Sequence, residues 1–222
     1  MQYYSESNTR FLLMHNNWTG YVMDGSKENM KTLKSKYIYW QHNLNAKLCW
    51  ITKENINSIL NKTELKDIGI LSIDIDGNDF YILKAIDLNR LNPSIIIVEY
   101  NSVFGIERKI STIYDAEFDR TNAHYSNLFF GASLPALDYI CNSKGYSLVC
   151  CTKSGNNAYF VRKDLLNEKV KSKSVHEAYF KSQFRESRDE NYNLSFLSGD
   201  DRNNIIKGLK VLNVETNQIE LF

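Results

Sequence analysis

Four acids and an amide stand out because each follows an apolar run. Asp24 ends Gly20-Tyr21-Val22-Met23-Asp24, Asp74 and Asp76 follow Ile68-Gly69-Ile70-Leu71-Ser72-Ile73, and Glu99 and Asn101 follow the run Ser94 to Val98. In a doubly wound sheet, ligands bind beyond the carboxyl ends of the strands, so these side chains are expected to point toward one crevice. Asp74, Asp76, Glu99 and Asn101 offer hard oxygen donors from two neighbouring strand ends, which suits Mg²⁺, Mn²⁺ or Ca²⁺ and does not suit zinc. Such an ion can bind a sugar diol and lower a hydroxyl pKa, and a spare carboxylate can then take the proton. Asp24, followed by Gly25 and Ser26 at a helix start, has the position of an acid that accepts both hydroxyls of a nucleoside ribose. A plain turn into the helix accounts for Asp24 equally well.

The run Asp76-Gly77-Asn78-Asp79 also has turn composition, and Asn78 and Asp79 are read as turn and cap residues. Asp74 and Glu99 are read as functional, because a carboxylate finishing a buried strand must find a partner or a solvent-filled cleft. The spacing imitates an EF-hand start, yet Asp79 stands where that loop needs Gly and Ala85 where it needs Glu. It also resembles the aspartyl-nucleophile strand of haloacid-dehalogenase-like phosphatases, D-x-D-G-T after an apolar strand. There the motif opens the domain, whereas here an α/β region precedes it and Asn78 replaces the Thr; this is the alternative enzyme. His15, His42, His124 and His176 show no metal-ligand spacing. His124, beside Tyr125, is the one histidine taken as a catalytic candidate.

The elements that must position these residues alternate between short apolar runs and amphipathic stretches, the pattern of strands separated by helices in an α/β sheet. Strands are expected at Gly20–Asp24, Tyr37–Trp40, Ile68–Ile73 and Ser94–Val98, the last fully buried. Ser26 caps a helix to about Lys34, Thr52 one to about Leu60, and a helix with Phe80, Leu83 and Ile86 on one face follows Asp79. Residues 102–130 are polar and aromatic with little periodicity, which marks a binding insertion. Ser133 caps a helix that Gly145 ends, and Tyr146–Cys151 with Ala158–Val161 form a closing antiparallel pair around a turn at Gly155-Asn156-Asn157. The tail, residues 164–222, reads as charged and helical with an amphipathic or extended end. One domain is expected over residues 1–222.

Composition narrows the function classes. With Lys plus Arg at 27 and Asp plus Glu at 26, the net charge of +1 gives no electrostatic case for nucleic acid or an acidic membrane. No run approaches the length of a membrane span and Met1 to Arg10 is not of signal-peptide type, so a cytoplasmic protein acting on small molecules is expected. A homo-oligomer is an open possibility on which the sequence is silent. Cys49, Cys141, Cys150 and Cys151 contain no C-x-x-C pair, and neither zinc nor a disulfide is expected.

Taken together, Ser72-Ile73-Asp74-Ile75-Asp76-Gly77-Asn78-Asp79-Phe80 and Ile97-Val98-Glu99-Tyr100-Asn101 resemble FkbM-like S-adenosylmethionine methyltransferases. The resemblance is to the branch found with surface (capsule) polysaccharide biosynthesis. Further matches are Ser7-Asn8-Thr9, Trp18-Thr19-Gly20, Gly131-Ala132-Ser133-Leu134, Gly145-Tyr146-Ser147-Leu148-Val149 and Gly155 to Arg162. The resemblance implies a Rossmann-like class I methyltransferase sheet with helices on both faces. It also implies S-adenosylmethionine as donor and O-methylation of a sugar or nucleotide-sugar. By position it implies that Asp24 with Gly25 holds the ribose, Asn43 and Leu44 lie near the adenine, and Ser7 and Asn8 near the methionine end. By analogy with metal-dependent sugar O-methyltransferases it makes Asp74, Glu99 and Asn101 ligands of Mg²⁺ or Mn²⁺ and Asp76 the base.

Members of that family carry a strand and an acidic, Gly-containing loop before the Ser-Asn-Thr element, and Met1-Gln2-Tyr3-Tyr4-Ser5-Glu6 has neither. The usual first strand is therefore expected to be missing, by truncation, by replacement with another segment, or in a protein that no longer binds the cofactor. The last case would make the chain a non-catalytic, methyltransferase-like partner subunit.

Overall fold

The computed structural model describes residues 7–222, so the expectation about Met1 to Glu6 lies outside the described residues. Contacts gather into two units, residues up to Ile56 and Asn57–Phe222. The first unit holds α1 (Arg10–Asn16), β1 (Gly20–Asp24), α2 (Lys27–Ser35), α3 (Tyr37–Gln41) and β2 (Leu44–Leu48), and α4 (Ile56–Asn61) carries the chain onward. Ser26 caps α2 as expected: its extended backbone lets Oγ accept the Asn29 N–H at 3.2 Å. β1 and β2 run parallel, with Gly20 opposite Leu44 and Asp24 opposite Leu48.

The strand expected at Tyr37–Trp40 is helix α3 instead. Tyr and Ile favour strands only where a pleated surface receives both faces. Here only Ile38 is buried, while Tyr37 and Trp40 are exposed, a one-sided pattern that a single helical turn satisfies. The strand that pairs with β1 is Leu44–Leu48, whose apolar character is broken by Asn45 and Lys47.

In the second unit the order is β3 (Ile70–Ile73), α5 (Asp79–Ala85), β4 (Ile95–Glu99), β5 (Ile110–Thr112), α6 (Arg120–Ala123), α7 (Leu134–Ser143), β6 (Tyr146–Cys151) and β7 (Asn157–Arg162). Then come α8 (Val175–Ala178), α9 (Asp200–Ile205), β8 (Lys210–Asn213) and β9 (Gln218–Leu221). A four-stranded mixed sheet has the order β3-β4-β7-β6, with β3 and β4 parallel and β7 antiparallel to both β4 and β6. β4 is buried through Ile96, Ile97 and Val98, and α5 buries Phe80 and Leu83, as the apolar runs require. The result is a mixed α/β architecture consistent with a methyltransferase-like fold. Among the described residues no helix is long and apolar enough to cross a membrane.

Two segments differ from the expected picture. The stretch 102–130 contains β5, which pairs with β8 of the C-terminal hairpin; Val103, Phe104, Ile110, Leu128, Phe129, Ile206 and Val211 form one core cluster there. The tail is mostly irregular rather than helical, because side chains and backbone of the sheet end take up its polar groups. Tyr100 Oη donates to the Phe180 carbonyl at 2.7 Å, Tyr179 Oη donates to the Ser102 carbonyl at 2.8 Å, and the Ser182 N–H donates to Ser102 Oγ at 2.8 Å. Gly155, at φ 78°, lies so close to this strap that a Cβ would come within 2.4 Å of the Lys181 carbonyl carbon. Residues 179–183 are thereby stapled over the end of β4 and the turn between β6 and β7.

Candidate active site

The acidic centre begins in the turn after β3. Asp79, fully buried, accepts the Ile75 N–H with Oδ1 and the Gly77 N–H with Oδ2, both at 3.0 Å. These two bonds fold residues 74–79 back on themselves, so Asp79 is the turn residue it was expected to be. Asp76 adopts a left-handed φ of 57°, which short polar side chains tolerate. Gly77 lets Phe118 approach, since a Cβ there would stand 2.2 Å from its ring. Asp74 and Asp76 are left projecting on the exposed side.

β4 pairs in register with β3, Ile73 opposite Val98, and so delivers Glu99 beside them. Asp74, Asp76 and Glu99 each place one carboxylate oxygen within 4.8 Å of the others. Glu99 Oε2 is buried without a hydrogen-bond partner. Burial, with the charges of Asp74 and Asp79 behind it, holds Glu99 well above the usual carboxylate range, and Arg120 opposes that rise only in part. Burial, followed by the charge of Asp74, pushes Asp79 up to about 7. Asp74, Asp76 and Glu99 thus form an all-oxygen donor set of the kind that suits a hard divalent cation.

Arg120 is the counter-charge the sequence did not point to. Its Nη1 lies 3.6 Å from Asp76 Oδ1, its Nη2 2.5 Å from Glu186 Oε1, and its guanidinium 3.6 Å above the centre of the Phe130 ring. Nε donates to the Asn127 carbonyl at 2.8 Å, which fixes the fork in place. Only an Arg at the start of a four-residue helix marks this residue in the sequence, and its partner Glu186 is distant in the chain.

The structure gives Asn101 another task than the expected ligation. Nδ2 donates to the Leu128 and Phe130 carbonyls at 2.8 and 2.9 Å, and Oδ1 accepts the Val103 N–H at 2.9 Å. Its amide ties the segment after β4 to residues 128–130, and the cation-ligand set is better drawn without it. His124 Nδ1 lies 2.8 Å from Ser126 Oγ and accepts the Ser126 N–H at 3.3 Å, so the ring organises its own turn. Burial lowers its pKa.

In the first unit, Asp24 and Gly25 stand at the carboxyl end of β1. Asp24 Oδ1 accepts the Ser26 N–H at 2.6 Å and Oδ2 accepts Asn29 Nδ2 at 3.1 Å, leaving further lone pairs on each oxygen. Asn43 and Leu44 are at the opposite end of the pair, because Leu44 is in register with Gly20, about 13 Å along the strand from Asp24. They lie at the other end of the strand pair from Asp24. The residue that does stand near Asp24 is Trp50, two beyond the end of β2, whose half-exposed ring covers Gly25. In the sequence a tryptophan reads as core, so its type alone does not mark this position. Ser7 and Asn8 precede α1, with Ser7 Oγ 3.5 Å from Thr9 Oγ1.

Compared with known proteins, residues 25–148, more than half of the chain, match the family of the methyltransferase FkbM domain. Searches of curated proteins and of solved structures returned no significant match.

Proposed function

The chain belongs to the FkbM methyltransferase domain family, and from that premise we propose that it is an S-adenosylmethionine-dependent O-methyltransferase acting on a sugar or nucleotide-sugar hydroxyl, assisted by Mg²⁺ or Mn²⁺. The observation that carries this reading is the convergence of Asp74, Asp76 and Glu99 at two parallel strand ends inside the matched region. Bound S-adenosylmethionine would supply an electrophilic methyl group, and a divalent cation would supply positive charge at the acids.

Asp74 and Glu99 are the proposed cation ligands, Glu99 being the acid held in the interior. Asp76, with about half its side chain exposed, is the acid proposed to meet the acceptor, and Arg120 Nη1 lies 3.6 Å from its Oδ1. In the proposed reaction the acceptor oxygen forms the new C–O bond to the methyl carbon, the C–S bond breaks, and Asp76 takes the hydroxyl proton. Rate would come mainly from alignment of the two reacting atoms, with proton removal adding to it. Asp24, Gly25 and the Trp50 ring form a surface suited to a nucleoside, a carboxylate for ribose hydroxyls beside a flat aromatic face. A phosphatase would instead use Asp74 as nucleophile; family membership of a region that includes Asp74 favours methyl transfer.

Incubation with methyl-labelled S-adenosylmethionine, Mn²⁺ and a panel of nucleotide-sugars tests the reading. Label is expected in at least one acceptor, only when cation is present. Transfer undiminished by a chelator would remove the cation from the account.

A further inference from the structure

Glu99 Oε2 at the end of β4 and Arg202 Nε in α9 are both buried without a hydrogen-bond partner, and both residues line one crevice. Its other walls include Asn156, Ser182, Phe184 and Phe130. The free space is about 20 Å³, enough for a single oxygen-sized group. Arg202 is 9% exposed and is anchored by Nη1, which donates to the Ser182 carbonyl at 3.3 Å. Leaving either polar atom unmatched costs free energy, so each calls for a partner within the crevice.

The chemistry of that group follows from the pair. Arg202 Nε–H needs an acceptor, and Glu99 Oε2 needs a donor when ionised and an acceptor when protonated. An anion would meet Glu99 and Glu186, and a cation would meet Arg202. A hydroxyl is both donor and acceptor and is neutral. We propose that Glu99 and Arg202 form a subsite for one hydroxyl of a polyhydroxylated acceptor, with Arg202 as a specificity-determining residue. A carboxylate has about four lone-pair sites, so Glu99 can serve a cation and this hydroxyl together. Because Glu99 also belongs to the acidic cluster, the bound hydroxyl neighbours the one that reacts. As an acceptor subsite this rests on the methyltransferase reading; as a hydroxyl site it stands on the crevice alone.

The test uses the full chain and three probes, glucose, methyl glucoside and myo-inositol, observed by saturation-transfer NMR. The wild type is compared with Arg202→Gln and Arg202→Lys. Lysine preserves charge and stem length but lacks a donor at the Nε position, so it remains informative where Gln perturbs folding. At least one probe should bind the wild type, with affinity falling tenfold or more in Arg202→Lys, the scale of a lost hydrogen bond to a charged group. S-adenosylhomocysteine binding, followed by calorimetry on the same samples, should not change. Equal binding of the probes by Arg202→Lys, or none by the folded wild type, overturns the subsite and leaves only a structural water there. Arg202-dependent probe binding in a chain that does not bind S-adenosylhomocysteine keeps the subsite and removes the methyltransferase reading.

Discussion

Replacing Asp76 by Asn should lower methyl transfer by about 10²–10⁴-fold, the range that a positioned general base contributes. The substitution is unusually clean. Asp76 sits at a left-handed φ of 57°, where Asn is as well tolerated as Asp, so the backbone has no reason to move. Its side chain is about half exposed and no core packing depends on it. What changes is the capacity to take a proton, together with the charge that faces Arg120 at 3.6 Å. Affinity for S-adenosylhomocysteine should stay at the wild-type value, and so should affinity for Mn²⁺, because Asp74 and Glu99 remain. A fall in Mn²⁺ affinity parallel to the fall in rate would make Asp76 a ligand. Wild-type turnover in Asp76→Asn would remove it from the chemistry altogether.

The second large effect is on stability, and its sign follows from the burial of the acids. Asp79 keeps its proton up to about pH 7 in the folded chain, chiefly through burial, whereas an unfolded Asp releases it near pH 4. Between those values the folded state binds more protons than the unfolded one, so stability falls as pH rises through that window. Glu99 is displaced in the same direction. A divalent cation reverses the loss by neutralising the charge these groups resist. At about 100 times its dissociation constant a cation adds about 2.7 kcal/mol, or roughly 5–10 °C in melting temperature for a chain of this size. We expect the Mn²⁺-induced shift to be clearly larger at pH 8 than at pH 5.5, where protons compete, and to vanish in Glu99→Gln. Thermal unfolding at both pH values measures it, and an identical shift in Glu99→Gln would place the cation elsewhere.

Much of this centre was legible because it depends on local rules. A buried apolar strand followed by acids gave β3 and β4 with Asp74, Asp76 and Glu99, and Asp79 read correctly as the residue that closes the turn. The caps at Ser26 and Ser133 were equally plain, since each hydroxyl serves a backbone N–H three residues on. Illegible features depend on long-range pairing. β5 is three residues long and finds its partner in β8, about a hundred residues later. The strap over Tyr100 and Ser102 and the Arg120–Glu186 pair are of the same kind. The α3 error came from propensity: Tyr37-Ile38-Tyr39-Trp40 favours a strand residue by residue, but only Ile38 had a core to enter.

The most direct test of the central claim is calorimetric titration of S-adenosylhomocysteine into the full 222-residue chain, with and without Mn²⁺. The account predicts saturable binding in the micromolar range, weakened at least tenfold by Asp24→Ala. A folded sample that takes up no S-adenosylhomocysteine under either condition would contradict it, and would point instead to a methyltransferase-like subunit that lends its surface to a catalytic partner.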